Sequence, residues 1–269
     1  MLLFASSDRV MHQLSDDLKA IFDVTDLREP TIIVGIEIMH RKVSVTISQG
    51  QYVDSILKRH GMENANPVLT PMDPNVKLEP NKEEREPNRS NSYASLIGSL
   101  QYLTVATHPD IAYAINQLAA YTANPSFNHH NAAKCMLRYL KGTRSYGITY
   151  RDQNTRLVRP SDSNLFYGFS DAAFANADDR KSISSYVFLS NMGAITWMSK
   201  KQATIALSTT EAEYVALSEA TREATWLRHL YGELGFIQRE PILLLGNNDG
   251  SVAMTKNPWF HRDSKHIDI

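Results

Sequence analysis

Leu165-Phe-Tyr-Gly-Phe-Ser-Asp171-Ala and, some thirty-five positions on, Ala206-Leu-Ser-Thr-Thr-Glu-Ala-Glu213-Tyr decide how this chain is read. The first is a short apolar and aromatic run ending in a carboxylate, which predicts a strand over Leu165 to Phe169 with Asp171 just past its end. Such an Asp is most often a turn or cap residue. The second opens a helix from Thr209 to about Leu234. Ser208 and Glu211 stand at capping-box spacing, so Glu211 has a structural task. Glu213 has none. It falls in line with Ala216, Leu217, Ala220, Ala224 and Leu227, the stripe that should pack on a sheet. A charge there costs several kcal/mol unless it is paired or holds a metal, so Asp171 and Glu213 are candidate acids of a metal or acid–base site. Hydrolysis of a phosphodiester by two magnesium ions needs several carboxylates converging on ions about 4 Å apart.

Between these stretches, Ile183 to Leu189 and Ala194 to Trp197 read as strands joined across Ser190 to Gly193 as a hairpin. After the helix come a short strand, Ile242 to Leu245, and a last helical stretch beyond Gly246. The order strand, strand, strand, helix, strand, helix is an α/β one.

Toward the N-terminus, Leu2 to Ser6 is a short apolar run that predicts a strand, and Asp8 to Phe22 has helical spacing. Ile32 to Met39 and Val43 to Ile47 flank His40-Arg41-Lys42 as a hairpin would. Ser48 and Gln51 suggest a capping box for a helix to about His60, with Gly61 as its stop. Prolines 67, 71, 74, 80 and 87 punctuate a polar stretch without apolar period, which reads as a linker unable to offset its ordering entropy by burial. Helices are expected near Tyr93 to Ala106, Pro109 to Thr122 and Phe127 to Leu140, separated where proline favours a helix start. On the third, His130, Lys134, Arg138 and Lys141 share one face, and Ala133, Met136, Leu137 and Leu140 the other. Seven basic residues and one acid lie between Lys134 and Arg159, Arg144 among them. That face is either a solvated surface or a phosphate-contacting one.

The composition narrows the alternatives. The 269 residues carry 28 Lys plus Arg against 29 Asp plus Glu and are 42% hydrophobic, as in ordinary globular domains and unlike a polybasic or disordered chain. The single cysteine, Cys135, rules out an internal disulfide and a Cys-based zinc module, so a reducing compartment is expected. No apolar stretch approaches a membrane span and the opening residues are too short for a signal peptide, so the chain reads as soluble and intracellular, in cytoplasm or nucleus. No glycine-rich phosphate loop follows a strand. His129-His130, His261 and His266 lack convincing metal partners. Trp197, Trp226 and Trp259 read first as core anchors and only second as base-stacking platforms.

Several ordered motifs together resemble one family. Phe169-Ser-Asp-Ala-Ala-Phe-Ala, Asp179-Arg-Lys-Ser-Ile-Ser-Ser-Tyr-Val-Phe, Ala194-Ile-Thr-Trp-Met-Ser-Lys-Lys-Gln, Ala206-Leu-Ser-Thr-Thr-Glu-Ala-Glu-Tyr and Lys265-His-Ile-Asp-Ile are similar to the ribonuclease H domain of copia-type retrotransposon Pol polyproteins. Val34-Gly-Ile-Glu-Ile, Thr70-Pro-Met-Asp-Pro, Ile97-Gly-Ser-Leu-Gln-Tyr-Leu, Pro109-Asp-Ile-Ala-Tyr-Ala and Leu137-Arg-Tyr-Leu-Lys-Gly-Thr are similar to the end of the preceding reverse transcriptase and its connection. The resemblance covers essentially the whole chain. It implies copying of RNA into DNA, removal of RNA from the hybrid, and Mg2+ at both sites. It further implies a reverse transcriptase palm edge and thumb over 1–66, a linker over 67–92, a helical connection over 93–160 and a ribonuclease H-like mixed sheet with helices over 161–269.

The same resemblance shows departures. The family's Tyr-x-Asp-Asp polymerase motif stands immediately before a segment like Leu2 to Ser6, so those acids are not in this sequence. Gly35 lies in a segment resembling the primer-grip hairpin and is carried over as a nucleic-acid contact. Asp171 and Glu213 match metal-binding positions, but the third acid, counted back from Lys256-Asn-Pro, aligns with Asn247. Asp249 stands two residues on and is an alternative donor, although the first turn of a helix favours an acid anyway. The fourth acid of the family belongs to a final strand and helix beyond Lys-His-Ile-Asp, and open sheet edges are expected to favour aggregation. Ala173 stands where the family often has an acid, and Phe174 where it often has Trp.

Three functions are compatible with these residues. One is a catalytically inactive member of the family, and another a weak magnesium-dependent ribonuclease H acting on RNA/DNA hybrids. The third is a non-enzymatic nucleic-acid-binding protein using Lys134, Arg138, Lys141 and Arg144. Remaining Pol segments are possible partners.

Overall fold

A computed structural model describes residues 3, 5, 7–26, 29–73, 76, 78–84, 86–151, 165–176 and 179–256. The first helix, α1 (Asp8–Ile21), is capped by Ser7, whose Oγ accepts from the Val10 N–H, and buries none of its residues. The strand expected over Leu2 to Ser6 lies mostly outside the described residues, and Leu3 and Ala5 carry no strand pairing.

Strands β1 (Ile32–Ile33), β2 (Ile36–Arg41) and β3 (Ser44–Ser48) form an antiparallel meander. The apolar run from Ile32 to Met39 is therefore two strands. Val34 (φ 51°) and Gly35 (φ 77°) turn the chain between them in the left-handed region, where glycine carries no steric penalty. The second turn sits at Lys42-Val43, one residue later than the polar triplet suggested.

Helix α2 (Gly50–Arg59) follows, with Gln49 at its N-cap and no side-chain cap bond. The expected Ser48/Gln51 capping box does not form, because Ser48 is consumed as a strand residue opposite Glu37 and Gly147. Glu37 Oε2 takes the orphan N–H of Gln51 instead, at 3.2 Å.

The proline-punctuated stretch is also more tied down than its composition suggests. Leu78 is buried in the first core, Val68 and Met72 pack against that core, and Tyr121 donates its hydroxyl to the Leu78 carbonyl at 2.6 Å. Its last residues are helical: α3 (Pro87–Ala106) starts at Pro87, six residues before the expected Tyr93, with proline at the first turn where its missing N–H costs nothing.

A 3-10 turn (Pro109–Ile111) leads into α4 (Ala112–Ala119), and Ser126 precedes α5 (Phe127–Gly142). Helices α2 to α5 bury Val53, Ile56, Tyr93, Leu100, Leu103, Ile111, Leu118 and the expected Ala133, Met136, Leu137 and Leu140 in one core. The chain then returns as β4 (Gly147–Arg151), a strand not anticipated in the stretch read as helical, which pairs antiparallel with β3 through Ile148 and Ile47.

The second sheet consists of β5 (Tyr167–Ala173), β6 (Ile183–Ser190) and β7 (Gly193–Lys201) with a short strand β8 (Leu244–Leu245), in the order β7-β6-β5-β8. The first three are antiparallel and β8 runs parallel to β5. The β6–β7 hairpin turns at Asn191 and Met192, both at positive φ. Helix α6 (Thr209–Glu233) lies across this sheet, and Ala220, Ala224 and Leu227 bury Phe166 and Phe188 beneath it. Alanines at the contact let the helix axis approach the strands closely. Helix α7 (Asp249–Lys256) ends the described chain. This is a mixed α/β architecture with a ribonuclease H-like α+β unit. Among the described residues, no helix is long and apolar enough to cross a membrane.

Candidate active site

Asp171 lies inside β5 and not past its end, directly opposite Ser185 of β6. The pairing extends four residues beyond the apolar run because Ser170, Asp171, Ala172 and Ala173 still have backbone partners in β6, which a hydrophobicity pattern does not reveal. Ser185 donates its hydroxyl to the Asp171 carbonyl at 3.2 Å.

The start of α6 places Glu213. Ser208 caps the helix by accepting from the Glu211 N–H at 3.1 Å, and Glu211 reaches back to the Leu207 N–H at 2.8 Å. With the cap set, Glu213 falls on the sheet-facing stripe as its spacing required and is only 9% exposed. Its carboxyl is pushed above the ordinary range, first by burial and then by the neighbouring Asp171 carboxylate, while the Ala172 N–H pulls the other way. The two acids are thus close enough for each charge to act on the other.

The parallel strand β8 delivers the third member. Leu244 and Leu245 pair with Gly168 and Phe169, so the chain emerging from β8 passes Asp171, and the Asn247 side-chain amide donates to Asp171 Oδ1 at 3.5 Å. Asp249 opens α7 as an exposed first-turn residue, the position its dipole favours. Asn248 Oδ1 accepts from the Ser251 N–H and supports that turn. Among the described residues, no three His, Cys, Asp or Glu side chains cluster to hold a metal ion. Two neighbouring carboxylates with an amide N–H turned toward one of them do not fit a two-cation centre, which needs a further anionic oxygen at that place.

The nucleic-acid candidates lie elsewhere. Gly35 owes its place to the β1–β2 turn, where Tyr102 donates its hydroxyl to the adjoining Val34 carbonyl. On α5, Lys134 is exposed and Lys141 half-exposed, whereas Arg138 donates Nε to the Asn66 carbonyl at 2.7 Å. Arg144 forms a two-pronged ion pair with Asp54, and its guanidinium holds the Asp54 carboxyl below the usual range. The expected basic face therefore presents two free-standing lysines beside two arginines with structural partners.

His129 is a buried capping residue whose Nδ1 takes the Ser126 N–H at 2.8 Å and whose ring stacks on Tyr121. Trp197 is anchored by Nε1 donating to the Thr104 carbonyl at 2.8 Å. Trp226 is 55% exposed, because it lies on the side of α6 turned away from the sheet, and is not the core anchor expected. Trp259, His261 and His266 lie outside the described residues. The sequence reading missed the side-chain network of His108, Asp110 and Tyr139: His108 Nδ1 meets Asp110 Oδ1 at 3.2 Å and the Tyr139 hydroxyl donates to Oδ2 at 2.8 Å. Only the His-Pro-Asp sequence hinted at it, and it reads equally well as a helix start.

The comparisons with known proteins cover the whole chain. It is 35% identical over 277 residues to the retrovirus-related Pol polyprotein from transposon TNT 1-94 of Nicotiana tabacum, matching 100% of this chain and 20% of that protein. It is 34% identical to the corresponding polyprotein from transposon RE1 of Arabidopsis thaliana, over 100% of this chain and 18% of that protein. The uncharacterized mitochondrial protein AtMg00810 of Arabidopsis thaliana is 31% identical over 84% of this chain and 90% of its own length. The chain belongs to the copia-type retrotransposon Pol family. As a Pol-family chain it spans about a fifth of the length of the polyproteins it matches. No family model and no solved structure matches it.

Proposed function

We propose that this Pol-family chain carries a ribonuclease H-like site that does not cleave the RNA of an RNA/DNA hybrid. The observation behind this is the Asn247 amide on Asp171 Oδ1, at the place where the resemblance expects a third acid. Asparagine there offers a cation at most a neutral carbonyl and does not balance its charge, and loss of one anionic ligand removes orders of magnitude of rate. Neither RNA-directed DNA synthesis nor Mg2+ binding is ascribed to these residues. The test is cleavage of a labelled hybrid in Mg2+ by the purified chain beside Asn247→Asp and Glu213→Ala. The expected outcome is none by the chain as it stands. Cleavage that disappears in Glu213→Ala would overturn the reading in favour of a working ribonuclease H.

A second role, contact with nucleic acid, is supported by the exposed Lys134 and half-exposed Lys141 on one face of α5. Hybrid binding should weaken with rising salt, and reversing both charges should lower the salt dependence by about two phosphate contacts. Binding indifferent to salt would remove this role. Within a cell such a protein would act in cytoplasm or nucleus, alone or with other Pol segments.

A further inference from the structure

A cleft of about 610 Å³ lies between the 3-10 turn and α4 on one side and the β5–β6–β7 face on the other. Its size is that of small-molecule sites, roughly 300–1,000 Å³. Phe169 and Trp197 contribute to the floor and Tyr113 to the wall. Phe169 is 41% and Tyr113 40% exposed, so both rings are available. They are also held in place: the Tyr113 hydroxyl accepts from Asn176 Nδ2 at 2.8 Å, and the Trp197 indole is tied to Thr104. Asp110 enters from the wall and Asp171 from the floor, and among the described residues no Lys, Arg or His lines the space. Burial works against the Asp110 charge, but hydrogen bonds from His108 and Tyr139 hold its carboxyl below the ordinary range, so it is anionic at neutral pH. The Ser199 hydroxyl also lines the cleft and is buried without a hydrogen-bond partner.

We propose that this cleft binds a planar aromatic cation. A flat ring system stacks against Phe169 and Tyr113, and its charge lies between Asp110 and Asp171. Anionic ligands are disfavoured, because two carboxylates and no cation line the space. The site goes beyond the nuclease reading: it shares only Asp171 with that reading, its aromatic residues and Asp110 are not used there, and it stands whether or not hybrids are cleaved.

The test is a fluorescence titration of nucleic-acid-free protein with proflavine, a flat tricyclic cation, beside fluorescein, an anionic dye of similar ring size. Saturable one-to-one binding of proflavine, none of fluorescein, and losses of about tenfold in Phe169→Ala and in Tyr113→Ala are expected. Tyr113 is an exposed helix-surface residue, so its variant keeps the test valid if thermal melts show that Phe169→Ala misfolds. Equal uptake of both dyes, unsaturable binding, or unchanged proflavine affinity in a folded aromatic variant would overturn the proposal.

Discussion

Asn247 donates its side-chain amide to Asp171 Oδ1 at 3.5 Å across 76 positions of sequence. The contact exists because β8 runs parallel to β5 and ends level with Phe169, which leaves the next side chains beside the carboxylate two residues further along β5. The Asp171 charge also acts on Glu213, whose carboxyl it helps to push above its ordinary range. A position where the resemblance implies mutual repulsion relieved by a cation is held here by a proton donor.

Glu213→Gln should stabilise the protein at pH 7. A carboxyl 9% exposed and beside another acid has its folded-state proton affinity raised above 4.5. Stability from this group is therefore full below its unfolded value and declines as pH rises through the raised folded value. The neutral amide removes that decline, and a gain of about 1 kcal/mol at pH 7 that vanishes near pH 4 is expected. Thermal unfolding across this pH range measures it.

Asp110→Asn should do the reverse. The hydrogen bonds from His108 and Tyr139 keep Asp110 ionised despite its burial, with a folded value below 3.8. Its contribution is present above the unfolded value and is lost as pH falls through the lowered one. The variant should lose about 1–2 kcal/mol at pH 7, and urea unfolding should show the gap to the parent protein narrowing below pH 3.8.

Gly168→Ala should disrupt the second core. A Cβ built there meets the Phe188 ring at 2.4 Å, and Phe188 is fully buried beneath α6. Neither the ring nor the strand can withdraw without opening the α6 contact, so a cost of about 1–3 kcal/mol is expected. Circular dichroism melts would show it, and an unchanged midpoint would mean that the ring has room to turn.

Arg144→Ala should matter little. The Asp54–Arg144 pair has short hydrogen bonds, but its side chains are 49% and 51% exposed, where water and salt screen the attraction. A loss of roughly 0–1 kcal/mol is expected, shrinking toward zero in about 1 M salt. Denaturant unfolding at low and high salt would check both statements.

Much of the fold was legible in local pattern. The β6–β7 hairpin, the Ser208 cap, the length of α6 and the buried stripe of α5 follow from periodicity and turn chemistry, because each is decided by residues within a turn or a strand of one another. Local reasoning failed where a distant strand intervened. Ser48 is a strand residue because β4 pairs beside it, and the proline-rich stretch is fastened by Tyr121 from α4's far end. In the candidate site, helical phase singled out Glu213, the end of an apolar run offered Asp171, and only the family resemblance pointed to Asn247. The cleft and the His108–Asp110–Tyr139 network left no trace in any period.

By itself, then, the sequence determined most of the helices and strands, which faces are apolar, the family, and the identity of the residue at each candidate position. Those properties depend on dihedral preference, capping and side-chain spacing, all short-range. Only the tertiary structure decided that Asp171 and Glu213 are neighbours, that Asn247 offers Asp171 a hydrogen, that two of the four basic candidates are already partnered, and that an acidic aromatic cleft opens beside the pair. These follow from strand register and packing between segments far apart in the chain, where a one-residue shift in pairing turns a side chain to the opposite face.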